Sequence, residues 1–268
     1  MESDALRIFI DRHPRLFVLT GAGCSTNSGI PDYRDRNGEW KRVRPVSYQA
    51  FMAEPATRQR YWARSLIGWR QFGRALPNAA HHALARLEAD GRCGLLVTQN
   101  VDRLHQAAGS RQVIDLHGRL DRVRCMGCST TMRREAFQDA LAGANGAFLA
   151  LDAAVAPDGD ADLDHADFSA FAVPACEACG GILKPDVVFF GENVPRELVA
   201  SAQNHLEQAD AMLIVGSSLM VYSGFRFVQM AARRGMPIAA VNLGRTRADD
   251  LLTLKVEDHC EAALSFLL

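Results

Sequence analysis

Six short apolar runs alternate along the chain with stretches of helical spacing, and each run ends in glycine or a small polar group. The runs lie at 16–20, 95–98, 112–116, 187–190, 212–215 and 238–241. They do not alternate apolar with polar, so they predict strands buried on both faces. Between them, Ser3 opens a first helix carrying Leu6, Phe9 and Ile10, and 47–72 places Trp62, Leu66 and Trp69 at helical spacing. Asn78 caps a helix through Ala80, Leu84 and Leu87 that stops at Gly91. Further helices are expected at 101–108, 195–209 and 225–234. Strand-helix alternation of this kind predicts an α/β fold, a doubly wound, Rossmann-like parallel sheet. No internal repeat is present.

At 268 residues and 29.3 kDa the chain suits one main core with a smaller module. Apolar residues at 48% and charged residues at 23% exclude wholesale disorder. Thirty Lys plus Arg against thirty-one Asp plus Glu leave no basic excess, so no nucleic-acid partner is expected. No run approaches a membrane span, and the acidic start Met1-Glu2-Ser3-Asp4 resembles neither a secretory signal nor a transit peptide. A cytoplasmic protein without a membrane partner is the expectation.

Four of the seven cysteines form two Cys-x-x-Cys pairs, Cys125/Cys128 and Cys176/Cys179. Each short turn aims two thiolates at one point, with Gly127, Gly180 and Gly181 easing the backbone. One structural, four-thiolate zinc ion is the expected ligand, a redox pair the alternative. Between the pairs, 129–175 is rich in Ala, Gly and Asp. Asp158, Asp160, Asp162 and Asp164 alternate there, but Leu163 and Ser169 stand where a calcium loop needs glycine and glutamate. That stretch reads as a solvated excursion.

Ligands of open parallel sheets bind beyond the carboxyl ends of the strands. Gly21-x-Gly23, Gln99-Asn100-Val101-Asp102, His117-Gly118, Gly216-Ser217-Ser218 and Asn242-Leu243-Gly244 all fall at such ends. Gly21 and Gly23 would let backbone N–H groups approach a diphosphate. Thr26 occupies the place of the third glycine of a dehydrogenase, which argues against hydride transfer. His117 is the candidate base, because an imidazole titrates near neutrality. The other histidines, including His81, His105 and His165, lack such a setting. Asp102 and His105 are placed to satisfy one another on a helix.

Residues 21–34, Gly-Ala-Gly-Cys-Ser-Thr-Asn-Ser-Gly-Ile-Pro-Asp-Tyr-Arg, resemble the signature loop of the sirtuins. The run 98–105, the His117-Gly118 pair, the four cysteines and Gly216-Ser217-Ser218 follow in that family's order, so the resemblance covers nearly the whole chain. Residues 59–64, 183–192 and 216–224 look like class II sirtuins of the SIRT-four type, and the insert at 156–160 fits the same subgroup. Cys24 departs from the isoleucine common in the family. The Ala- and Arg-rich composition looks bacterial.

The resemblance implies an NAD-binding domain from 1–40, 85–122 and 183–268, a helical module at 41–84 and a zinc module at 123–182. It implies removal of acyl groups from lysine on a protein or peptide partner, with NAD as co-substrate and release of nicotinamide and O-acyl-ADP-ribose. His117 would deprotonate a ribose hydroxyl, and Gln99 and Asn100 would orient ribose or water. Gly21, Ala22, Gly23, Thr26, Gly216, Ser217 and Ser218 would hold the diphosphate. Asp32 and Asp102 would hold the carboxamide, Tyr33 would contact the cofactor, and Arg34 would close the loop over the phosphates. Asn242, Leu243, Gly244 and Cys260 would bound the adenosine end. Tyr61-x-x-Arg64 resembles a pair that reads acidic or branched acyl chains; the alternative is that Arg64 pairs with a nearby carboxylate and Tyr61 packs among aromatics. A mono-ADP-ribosyltransferase using the same pocket is the competing activity.

Overall fold

The computed structural model describes residues 2–41, 45–151, 153, 156, 158–161, 163 and 166–268. Asp162, Asp164 and His165, singled out above, lie outside the described residues. In chain order come α1 (Glu2–Arg12), β1 (Leu16–Thr20), α2 (Tyr48–Ala53), α3 (Pro55–Phe72), α4 (Ala79–Ala89), β2 (Cys93–Thr98) and α5 (Leu104–Ala107). Then follow β3 (Val113–Asp115), β4 (Gly118–Cys125), β5 (Thr131–Arg133), α6 (Arg134–Ala144) and β6 (Leu183–Val187). The last are α7 (Arg196–Gln208), β7 (Ala211–Val215), α8 (Tyr222–Arg233), β8 (Ile238–Val241), β9 (Leu254–Val256) and α9 (Cys260–Leu264). They divide into two compact units, one of Met1–Val43, Leu76–Leu116 and Val194–Leu268, the other of Arg44–Ala75 and His117–Asn193.

The first unit is built on a six-stranded parallel sheet of order β3-β2-β1-β7-β8-β9. Every residue of β1 is buried, and alternate residues serve opposite layers. Leu16 and Val18 pack with Leu6 and Ile10 of α1 and Leu84 and Leu87 of α4; Phe17 and Leu19 pack with Leu206 of α7 and Phe227 and Val228 of α8. Helices on both faces explain the unbroken apolar runs. The chain builds outward from β1 to β2 and β3, then returns to set β7 on the other side of β1. That reversal is the topological switch point. The strands also end in line: Thr20 pairs with Thr98 and Val215, Thr98 with Asp115, Val215 with Val241, and Val241 with Val256.

The second unit differs more from expectation. The run at 187–190 is not a strand of the parallel sheet. The strand lies at Leu183–Val187 and pairs antiparallel with β4 in a three-stranded sheet of order β5-β4-β6. Pro185 is tolerated because β6 is an edge. After it, Lys184 is buried and reaches Glu192 at 3.1 Å, while Glu192 accepts the Phe189 N–H at 2.9 Å. The helix expected over 47–72 breaks at Glu54, held extended before Pro55, and restarts as α3. The excursion at 129–175 is not simply solvated: α6 buries Phe137 and Leu141, and Phe168 and Phe171 join the same core as Phe51, Trp62 and Leu66.

Candidate active-site residues

At the switch point the glycines have a different duty from the one expected. A Cβ on Gly21 would stand 2.8 Å from Ser217 Cβ, and one on Gly23 would stand 3.0 Å from Gly216 O. Gly216 has φ +63°, and its Cβ would lie 2.3 Å from Cys24 N. The glycines therefore let the two loops touch backbone to backbone. Gly21 N–H donates to Val215 O at 3.1 Å, Gly23 N–H to Gly216 O at 2.9 Å, Cys24 N–H to Gly21 O at 2.9 Å and Ser25 N–H to Ala22 O at 3.0 Å. Among the described residues, the N–H groups of Ala22 and Thr26 have no backbone acceptor in these turns. Those two donors suit a phosphate better than Gly23 does.

Behind the turn lies a buried polar network. Asn100 Nδ2 donates to Gly21 O and to Ser25 Oγ, both at 3.0 Å, and its N–H donates to Thr98 Oγ1 at 3.1 Å. Ser25 Oγ donates to Asp102 Oδ2 at 2.7 Å. Burial raises the Asp102 carboxyl above its ordinary range. Asp102 does not pair with His105. Its other oxygen accepts Leu104 N–H at 2.9 Å, which starts α5 after Arg103 has turned at φ +67°.

His105 instead meets Thr20 Oγ1 at 2.9 Å, and Thr20 Oγ1 donates to Thr98 Oγ1 at 2.9 Å. His81 replaces the usual glutamate in the capping box of Asn78, and its ring centre lies 4.8 Å from that of His105. Burial lowers the pKa of His81 to about 4 and that of His105 well below its ordinary value, so both rings are neutral. The sequence reading missed this setting for the two histidines. Only the Asn78-to-His81 spacing hinted at it.

Elsewhere on the rim, Ser217 Oγ donates to Gln99 Oε1 at 2.7 Å, and Gly224 leaves room for Gln99, whose Cδ would be 2.8 Å from a Cβ there. Asn242 is buried with Nδ2 donating to Leu243 O at 3.0 Å and Gly244 O at 3.4 Å. Gly244 N–H donates to Glu257 Oε1 at 3.0 Å, a carboxylate absent from the sequence reading. Cys260 is buried, its Sγ 3.7 Å from Gly23 O. The Asp32 carboxylate pairs with Lys41. Arg34 donates to Gly38 O at 2.7 Å and lies over the Trp40 ring at 4.1 Å, and Tyr33 meets that ring edge-on. Leu116, whose N–H donates to Thr98 O at 2.9 Å, ends the middle segment of this unit.

His117 is the next residue, in the turn that enters β4, and its carbonyl accepts Val188 N–H at 2.8 Å. Gly118 has φ +79°, and a Cβ there would lie 2.2 Å from Asp186 O. The close approach of β6, rather than room for a ligand, requires that glycine. In the same unit the Sγ atoms of Cys125, Cys128, Cys176 and Cys179 all lie within 4.8 Å of one another. Cys125 and Cys179 are 3.4 Å apart and Cys128 and Cys176 are 3.7 Å apart. Bonds of 2.3 Å in a tetrahedron give edges of about 3.8 Å, so the quartet fits zinc, and four thiolates leave no open position. Tyr61 is buried among Phe51, Trp62 and Phe189. Arg64 Nε donates to Ala161 O at 2.8 Å and lies 4.0 Å from Asp160.

Comparison with known proteins agrees with this architecture. The family model described as Sir2 family matches residues 21–223. NAD-dependent protein deacetylase 2 of Bradyrhizobium diazoefficiens is 77% identical over 268 residues, covering 100% of this chain and 98% of the relative. The NAD-dependent protein deacetylase of Xanthomonas axonopodis pv. citri is 70% identical over 262 residues, covering 98% and 89%. A solved structure of Sir2 with a p53 peptide and NAD+ superposes with a TM-score of 0.81 at 30% identity, covering 100% of this chain and 97% of that one. The chain belongs to the Sir2 family, the sirtuins. No described helix is long and apolar enough to cross a membrane.

Proposed function

We propose that this chain is an NAD-dependent protein lysine deacylase that acts on acyl-lysine in proteins or peptides and works in the bacterial cytoplasm. The observation that carries the reading is the switch-point turn, where Gly21, Gly23 and Gly216 bring two loops together and leave the Ala22 and Thr26 N–H groups as donors. Relatives named NAD-dependent protein deacetylase, and a Sir2 structure with a propionylated peptide, support the same class of substrates.

NAD, when bound, supplies a ribose whose bond to nicotinamide is the one broken, and the acyl group leaves on that ribose. Ala22 and Thr26 hold the diphosphate, with Ser217 and Ser218 beside them. Asn100, fixed on three hydrogen bonds, and Gln99, which accepts from Ser217, orient ribose hydroxyls or water. Asp32 and Asp102 orient the carboxamide. Tyr33 and Arg34 lie on the loop that covers it. Asn242, Leu243, Gly244 and Cys260 bound the adenosine. His117 accepts the proton of a ribose hydroxyl, a task that needs no large pKa shift. Positioning supplies most of the acceleration. The four cysteines hold a zinc ion that supports β4 and takes no part in the chemistry.

His117→Ala is expected to keep the fold and NAD binding but to lose turnover by about 100-fold or more. Mass spectrometry of acyl-lysine peptides incubated with NAD reads free lysine, nicotinamide and O-acyl-ADP-ribose together. Near-normal deacylation by the variant removes His117 from this role, and ADP-ribose attached to protein without acyl loss replaces the activity with a transferase.

The preferred acyl chains are acidic or branched, read by Arg64 with Tyr61. Arg64 lies 4.0 Å from Asp160, so an acyl carboxylate would compete with that side chain for the guanidinium. Because Arg64 also donates to Ala161 O, the preference for glutaryl- over acetyl-lysine should be modest, up to about tenfold, or ~1.4 kcal/mol. Equal kcat/KM on the two peptides overturns it.

A further inference from the structure

The first unit holds a second constellation of metal-ligating side chains, apart from the four-cysteine quartet. Cys24 leaves the turn after β1, His81 stands in the first turn of α4, and His105 lies in α5. One ligand atom from each falls within 4.8 Å of the others, and all three side chains are buried. His105 Nδ1 is buried without a hydrogen-bond partner, an anomaly for an imidazole nitrogen in a folded protein.

The surrounding hydrogen bonds fix the tautomer of His105. Thr20 Oγ1 gives its proton to Thr98, so it can only accept from His105 Nε2–H. The neutral ring then carries its lone pair on Nδ1, the orphaned atom. Ser25 Oγ gives its proton to Asp102 and offers none to His81 Nε2, 3.4 Å away. His81 Nδ1 accepts Asn78 N–H at 3.2 Å in the capping box, so its ring proton sits on Nε2 facing Ser25 Oγ; a metal bound at Nε2 would move that proton to Nδ1, 3.0 Å from Asn78 Oδ1. With an ion bound, each imidazole would donate its other N–H to an oxygen, Thr20 Oγ1 for His105 and Asn78 Oδ1 for His81, the arrangement that orients histidine ligands in metal sites.

We propose that Cys24, His81 and His105 form a second metal site that takes one thiophilic d10 cation, Zn2+ or Cu+. One thiolate and two imidazoles suit both ions, and the lack of carboxylate ligands excludes Mg2+ and Ca2+. With Cys24 Sγ at about 2.3 Å and each nitrogen at about 2.0 Å from the ion, the three atoms would close on one another by at most about 1.5 Å. Binding forms three metal-ligand bonds and releases one proton, from the Cys24 thiol, because the imidazoles are already neutral. The ion would join the turn after β1 to α4 and α5.

Protein carrying one zinc in its four-cysteine site is incubated with Zn2+ in one arm and with Cu+ under anaerobic reducing conditions in the other. Excess metal is removed by gel filtration, and ions per chain are counted by mass spectrometry. The expected result is two ions per chain for the unaltered protein in at least one arm and one for Cys24→Ala. Co2+ in place of Zn2+ adds a thiolate charge-transfer band that Cys24→Ala lacks, while the four-cysteine band persists and reports that the variant is folded. His105→Gln, which keeps a polar side chain beside Thr20, should also hold one ion. A single ion on the unaltered protein in both arms overturns the proposal. So does a second ion retained by Cys24→Ala, or one lost instead on Cys93→Ala or Cys260→Ala. None of these readings depends on deacylase activity.

Discussion

Gly216 shows how a single residue governs the candidate site. Its φ of +63° is costly for any side chain, and a methyl group there would lie 2.3 Å from the Cys24 amide nitrogen. Gly216→Ala is expected to lower the unfolding free energy by about 1–3 kcal/mol, measured by denaturant titration, and to raise the KM for NAD, because the Ala22 and Thr26 donors shift with the loop. The reasons behind such residues were only partly legible. Gly21, Gly23 and Gly216 are conspicuous because they follow apolar runs, yet their packing against one another needed the sheet order. His81 and His105 were illegible for a related cause: Thr20, Ser25 and Thr98 come to them from distant parts of the chain.

Elements were legible where one physical cause dominates. Residues 16–20 and 238–241 form strands at the limits read from their apolar runs, because burial on both faces leaves no polar position to blur the ends. The run at 187–190 misled because β6 stops at Val187 and Phe189 packs on Lys184 with its N–H on Glu192 instead of continuing the strand. Helix α6 was hidden by an Ala-rich composition in which only Phe137 and Leu141 mark the buried face. The β4–β5–β6 element depends on its thiolates, since the Cys125 end of β4 and the Leu183 end of β6 are paired beside them. Structural zinc sites contribute about 10–16 kcal/mol of binding to folding in small peptides. Cys125→Ser, or treatment with a strong chelator, is therefore expected to abolish zinc binding and to lower the thermal midpoint cooperatively, read by circular dichroism alongside metal content.

At the scale of the whole molecule, His81 favours proton uptake on unfolding in mildly acidic solution. His81 has a pKa of about 4 when folded against 6.5 in the unfolded chain, so it contributes no pH dependence above 6.5. As pH falls from 6.5 toward 4, the unfolded chain binds a proton that the folded one refuses, and stability drops by up to about 1.4 kcal/mol per pH unit. Asp102 and Asp160 oppose this, because their raised values favour proton binding in the folded state. The quantity to measure is the pH slope of unfolding free energy in wild type against His81→Asn, with the wild type steeper between pH 6.5 and 4. Equal slopes would show that His81 does not titrate on unfolding.

The sheet order also bears on how a ribosome delivers this protein. Strand β1 needs β2 on one edge and β7 on the other, and β7 begins only at Ala211. Throughout most of translation, Leu16–Thr20, apolar but for Thr20, must wait with one edge open. The nascent chain is therefore a natural client for holding chaperones, and its escape from aggregation is decided when about the last fifth emerges.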